Sequence, residues 1–259
     1  MQYYYAHTGH KGNLDALRRG VAYAKKQKSD ANPTKILVND FRAGLVAREL
    51  GFDDVTTIET ISDIDLVLEL GDTVVIDSTE DLPLQFREYC DNFKVAVISM
   101  GKEREQLFNE TIIDICKKEN MLIDDIYKKE HKKTKRVLFF GGDSDHEKSI
   151  VKQKDFFRGL KAELLLGHYF FVNYEKELRE SFDILHDSEE YQEMIIGSSD
   201  IITTSLQCAI ESKSAGANTV FIAINELTSF ASNLLEELHI SVLYEYNLSK
   251  ATNLLSEDI

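Results

Sequence analysis

Twice along this chain, short runs rich in β-branched and aromatic residues alternate with stretches of helical periodicity, and that alternation narrows the possible folds more than any other feature. The first half reads "QYYYA" then "NLDALRRGVAYAKKQ", "KILVND" then "FRAGLVAREL", "DDVTTIE" then "ISDIDLVLEL", "DTVVIDS" then "PLQFREYC", and finally "KVAVISM". The second half starts again at "RVLFFGG" then "KSIVKQKDFFRGL". It continues through "AELLLGHYFFV", "DILHD", "DIITTS", "ANTVFIAI" and "ISVLYEY", each followed by a helical pattern. Strands alternating with helices in this way build βαβ units around a parallel sheet. A length of 259 residues lies where a single core stops growing. The expected architecture is therefore α/β, with two doubly wound Rossmann-like domains facing a central cleft. Residues 1–130 form the first domain and 131–259 the second, joined near the basic run "KKEHKKTKR" at 128–136. That run reads as a solvated linker.

Composition removes several function classes. A formal net charge of -15 argues against a nucleic-acid partner, whose affinity would rest on Lys and Arg neutralising phosphates. No apolar run approaches the roughly 20 residues of a membrane-spanning helix, and the chain enters a strand at once, without the basic and apolar segments of a signal peptide. Cys90, Cys116 and Cys208 are scattered and lack CxxC spacing, which fits reduced structural thiols and a cytoplasmic location. Any anionic ligand is then held locally, by backbone N–H groups at helix N-termini.

In open α/β sheets ligands bind beyond the carboxyl ends of the strands, so the residues that follow each strand carry the functional expectation. In the first domain these are "AHTGHKGN" with Gly9, His10 and Gly12, then Asp77, Ser78 and Thr79, and then Met100 to Lys102. Gly9 and Gly12 would permit positive φ and close approach of a ligand to the backbone. Neither a Walker A nor a GxGxxG pattern is present, which counts against a P-loop NTPase and a simple NAD enzyme. His7 and His10 are either turn polarity or, for His10 between glycines at a helix start, a group able to move a proton near neutral pH.

In the second domain the corresponding residues are "GGDSD" (Gly141, Gly142, Asp143, Ser144, Asp145), the hydroxyl loop Thr203, Thr204 and Ser205 ahead of a small-residue helix bearing Glu211, and Asn225 with Glu226. The "GGDSD" turn suits an anion, though helix capping alone also accounts for its polar residues. Glu211 is read either as a ligand contact or as a surface salt-bridge partner. No cofactor is expected. No metal is required, because there is no DxD element and no cluster with convincing ligand spacing; the oxygen-rich "GGDSDHE" leaves a divalent cation as the lesser alternative.

The segment "SSDIITTSLQCAIESKSAGANTVFIAINE" resembles the donor-nucleotide segment of GT-B glycosyltransferases related to the lipid II N-acetylglucosaminyltransferase. Glu211 and Gly216 reproduce that family's Glu-to-Gly spacing, and the resemblance implies a ribose contact for Glu211. The overall layout is similar to the UDP-sugar hydrolase family of pseudaminic-acid biosynthesis, with a G-H turn after the first strand and a Gly-Gly at the start of the second domain. The resemblance places His10 and Asn225 on active-site positions and implies a small-molecule nucleotide sugar as partner. Their places after the strands make Gly9, Gly12, Asn13, Asp77, Thr79, Gly141, Gly142, Asp143, Thr204, Ser205 and Glu226 the expected substrate contacts. The chain departs from the family where Asp77-Ser78-Thr79 replaces Asp-His-Tyr, where Met100-Gly101-Lys102 replaces an acidic pair, and where Asn13 replaces an Arg. Three functions follow as expectations. The first is a metal-independent UDP-sugar hydrolase, the second a small glycosyltransferase using a UDP-sugar donor, and the third a nucleotide-binding or interaction protein on an eroded enzyme scaffold.

Overall fold

The structure, a computed structural model, describes residues 1–9, 12–29, 32–100 and 104–255. The first half contains β1 (Gln2–Ala6), α1 (Asp15–Gln27), β2 (Thr34–Val38), α2 (Phe41–Glu49), β3 (Val55–Thr57), β4 (Thr73–Asp77), α3 (Phe86–Asn92), β5 (Lys94–Ser99) and β6 (Thr111–Asp114). The second half contains β7 (Thr134–Phe140), α4 (Lys154–Leu160), β8 (Glu163–Leu165), α5 (Tyr174–Leu178), β9 (Leu185–His186), α6 (Tyr191–Gly197) and β10 (Ser198–Thr203). It ends with α7 (Leu206–Ser214), β11 (Asn218–Ile222), α8 (Ser229–Glu237), β12 (Ser241–Leu243) and α9 (Leu248–Leu254).

Each half forms a six-stranded sheet, and every named strand pair is parallel. The orders are β3-β2-β1-β4-β5-β6 and β12-β11-β10-β7-β8-β9. Counted within its own half, each sheet reads 3-2-1-4-5-6, the doubly wound order whose reversal point lies beside the first strand. Those points fall between β1 and β4 in one sheet and between β7 and β10 in the other. Two Rossmann-like sheets with flanking helices are thus the observed fold class.

Central strands covered on both faces need apolar residues at consecutive positions. Tyr3, Tyr4, Tyr5 and Ala6 of β1 are all buried, as are Val137, Leu138, Phe139 and Phe140 of β7. Helix α1 lays Leu17, Val21 and Ala24 on the sheet at helical spacing. The second core gathers Phe139, Phe157 and Phe182, with Phe157 4.4 Å and 4.6 Å from the other two ring centroids. Burial pushes the thiols of Cys90 and Cys116 up to about 11.

Three local readings need correction. "ISDIDLVLEL" forms a short 3-10 turn over Ile61–Leu66, started by a Thr60–Asp63 capping box, and Leu66 and Leu70 are 81% and 80% exposed. "AELLLGHYFFV" contributes only the three-residue strand β8. The sheet edge strand β6 comes from "TIID", which carries too short an apolar pattern to announce itself.

By contacts the chain divides into two compact units. One comprises Met1–Gly9, Ala16–Asp124 and Thr228–Leu234; the other comprises Asp125–Leu227 and Leu235–Ile259, and residues 12–15 cluster with it. Among the described residues no helix is long and apolar enough to cross a membrane.

Candidate functional site

In the second unit the ends of β7 and β10 are tied together. Thr204 donates its hydroxyl to the Gly141 carbonyl at 2.9 Å, and its N–H bonds the Phe140 carbonyl at 3.3 Å. Ser205 caps α7, with its Oγ accepting from the Cys208 N–H at 3.0 Å and donating to Asp15 Oδ1 at 2.8 Å. Gly142 turns the chain at φ +98°, a conformation that favours glycine, and a Cβ there would lie 2.3 Å from Asn13 Oδ1.

Asp143 is the hub of this unit. It is fully buried, accepts the Leu14 N–H at 2.8 Å on Oδ2 and meets His168 Nδ1 at 3.1 Å on Oδ1. Its own N–H donates to Asn13 Oδ1 at 3.1 Å, and its carbonyl accepts from the Tyr169 N–H at 2.8 Å. Asp145 is likewise committed, accepting from the N–H and hydroxyl of Ser149, the Ile150 N–H and the Tyr174 hydroxyl. The two aspartates therefore brace the turn; around it Gly141, Ser144, Thr204 and Leu206 are half-buried, and Ser205, Gln207 and Cys208 are buried.

Gly141, Gly142, Asp143, Thr204, Ser205 and Asn13 thus come together. Glu211 lies behind them on α7, 1% exposed, accepting from the Tyr191 hydroxyl and the Gln207 amide, each at 2.8 Å. That burial removes the surface salt-bridge reading of Glu211. Asn225 and Glu226 follow β11 on an exposed bend.

In the first unit, at the β1/β4 reversal, His7 Nδ1 lies 3.1 Å from Thr79 Oγ1. Thr8 is locked to Asn39 by its N–H and hydroxyl. Asp77 was expected to face a ligand and instead points into the unit. It is 5% exposed and pairs with Arg19 through Nε at 2.7 Å and Nη2 at 3.1 Å, while the Tyr4 hydroxyl donates to it at 2.7 Å. Burial, followed by the Asp77 charge, holds the Tyr4 phenol well above its ordinary range, so it remains a donor. Gly9 is exposed and its φ is not in the left-handed region; a Cβ there would meet nothing within 4 Å. His10 lies outside the described residues.

The sequence reading missed His168, Asp15, Gly167 and Tyr191. His168 lines a cavity of about 550 Å³ at the carboxyl ends of β8 and β9, together with Leu166, Phe171, Asn173 and Asp187. The available signal was the Gly-His pair directly after "ELLL", hidden because the whole apolar run was read as one strand. Gly167 is needed because a Cβ would lie 2.5 Å from the Asp143 carbonyl carbon and oxygen. Gly167→Ala must push the two strand-end loops apart. It is expected to destabilise the protein by about 1–3 kcal/mol and to break the Asp143–His168 contact, read as a changed His168 imidazole NMR shift. An unchanged shift with unchanged stability would show that the loops are not packed this closely. Among the described residues, no group of three His, Cys, Asp or Glu side chains is arranged to hold a metal ion.

No family model matches the chain, and no curated protein matches it in sequence. Solved structures match it in fold. The S. aureus MnaA–UDP co-structure is 10% identical with a TM-score of 0.57, covering 100% of this chain and 88% of that one. The Methanocaldococcus jannaschii UDP-GlcNAc 2-epimerase in complex with UDP-GlcNAc and UDP is 11% identical with a TM-score of 0.56, covering 98% and 91%. CalG4, the calicheamicin glycosyltransferase, is 10% identical with a TM-score of 0.53, covering 99% and 90%. At these identities the likeness establishes the fold: two Rossmann-like domains of the GT-B type.

Proposed function

We propose that this chain binds a UDP-sugar on its second domain, residues 131–259, and breaks the bond between the sugar and the diphosphate, with water as the acceptor. The observation that carries the reading is the pairing at the β7/β10 reversal of a glycine turn with the capped N-terminus of α7. Cleavage at the anomeric carbon leaves its electron pair on the departing diphosphate. The N–H dipoles of a helix start are suited to that charge without any net positive charge in the protein. Support also comes from the solved structures of like fold that hold UDP or UDP-GlcNAc. The cavity beside His168 is large enough for a nucleoside portion.

In this reading residues 1–130 supply the sugar side. His10 is the general base that takes a proton from water, Asn225 orients the reacting groups, and Gly9, Gly12, Thr79 and Glu226 border the substrate. Transfer to an acceptor hydroxyl would use the same groups, with the acceptor in place of water.

Calorimetry with UDP, UMP and pyrophosphate, together with nucleotide release from a panel of UDP-, GDP-, CMP- and dTDP-sugars, tests the proposal. UDP is expected to bind tightest, and one UDP-sugar to yield UDP and free sugar without an added acceptor. Release only when an acceptor is present would establish transfer in place of hydrolysis, and absence of UDP binding would overturn the reading altogether.

A further inference from the structure

A second cavity, of about 600 Å³, lies at the amino ends of β8 and β9, the edge opposite to the one that carries the nucleotide proposal. It is bounded by Phe157, Arg158 and Lys161 from the end of α4 and by Ser181, Asp183 and Ile184 from the loop before β9. Three observations make it more than a surface hollow. Ser181 belongs to its wall, the residue is only 2% exposed, and its hydroxyl has no hydrogen-bond partner among the described residues. Buried hydroxyls are ordinarily satisfied, so an unpaired one in the wall of a cavity marks a place where a small side-chain rotation can give a ligand atom a donor.

Lys161 adopts φ +51° just past the end of α4, a position where glycine is the easy residue. Lysine accepts that strained backbone, and Lys161 borders the cavity. The α4 carbonyls beneath it are already used, Phe157 by the Ala162 N–H and Arg158 by the Lys161 N–H, so the cation is not needed to cap them. Finally, among the described residues neither Arg158 nor Lys161 has a carboxylate within ion-pair distance. Glu163, the other acid in the lining, is occupied by Arg136 at 3.2 Å and His186 at 2.6 Å.

We propose that this cavity is a second ligand site, specific for a small hydroxylated organic anion. The phosphate or carboxylate group is held by Arg158, Lys161 and the Ser181 hydroxyl, neighbouring hydroxyls donate to Asp183, and the carbon body rests on Phe157 and Ile184. Two cations against one available acid set the preference for an anion, and Asp183 sets the requirement for hydroxyl donors beside it. The site stands independently of the nucleotide reading, because it shares no residue with the β7/β10 reversal.

The test titrates the intact protein with glucose 6-phosphate, gluconate and glucose by calorimetry, alongside thermal unfolding. One of the two anions is expected to bind, glucose is not, and the binding arm identifies phosphate or carboxylate as the recognised group. Ser181→Ala and Arg158→Gln are each expected to weaken that anion by at least about 5-fold, the scale of one charge-assisted hydrogen bond, and to leave UDP binding unchanged. Lys161→Gly is the sharper variant. It should raise the unfolding temperature by relieving the backbone while weakening the anion, and a residue that served only the fold would not move the two in opposite directions. No heat with either anion up to about 10 mM, or variants that bind like the natural protein, would overturn the site.

Discussion

Replacing Asp77 by Ala is expected to lower the unfolding free energy by about 3–5 kcal/mol, the cost of breaking a buried ion pair from one side. The carboxylate ends β4 in the interior of the first unit, gripped by two nitrogens of Arg19 and by the Tyr4 hydroxyl, and Arg19 is itself only 3% exposed. Removing the carboxylate takes from the buried guanidinium the anion that two of its nitrogens hold, and takes the acceptor from a phenol that cannot reach water. Asp77→Asn keeps the shape and an acceptor oxygen for Tyr4 while discarding the charge, so its loss should be intermediate. Urea unfolding of the three proteins measures this, provided the slopes with denaturant stay equal. A loss below about 1 kcal/mol would place the pair in the class of screened surface bridges. A normal fold combined with lost UDP-sugar turnover would instead return Asp77 to the ligand, where the sequence had put it.

That residue illustrates which parts of the molecule are legible in its sequence. Strand and helix alternation is local, and the buried runs "YYYA" and "VLFF" announce both central strands. Where an apolar pattern does not become core, the reading failed. Leu66 and Leu70 look like the buried face of a helix, yet the turn ends at Leu66 and both side chains face solvent. The polar side chains after each strand were found by position, but their direction was not legible. Asp77 depends on Arg19, 58 residues away, and Asp143 on Leu14, 129 residues away. No local pattern says that an aspartate at a strand end will turn inward to a helix rather than outward to a ligand. His168 was invisible for a related reason, since its place is set by the contact of Gly167 with the Asp143 backbone, a steric fact between two loops.

The same question of direction decides Glu211. Its carboxylate is 1% exposed and is held by Tyr191 and Gln207, which are 2% and 3% exposed. Gln207 sits in the first turn of α7, the turn proposed to receive the diphosphate, so Glu211 is placed to act on the nucleotide through that turn. The competing reading, implied by resemblance, is a direct hydrogen bond to the ribose. Both predict weaker UDP binding for Glu211→Ala, but they differ in what happens to pyrophosphate, which has no ribose. If Glu211 positions α7, the variant loses about 2–4 kcal/mol of stability, because two buried groups lose a charged acceptor. Binding of UDP and of pyrophosphate then falls by the same factor, on the order of 10-fold. Glu211→Gln, which still offers one acceptor oxygen, should recover part of both losses together. If the carboxylate meets the ribose, UDP weakens by about 10-fold to 100-fold while pyrophosphate binds all three proteins alike. Calorimetry with the two ligands, on variants first shown to unfold cooperatively, separates the cases, and a UDP-only loss would sink the positioning role. The burial of the carboxylate favours the shared loss, since a ribose in solution has almost no surface of Glu211 to reach.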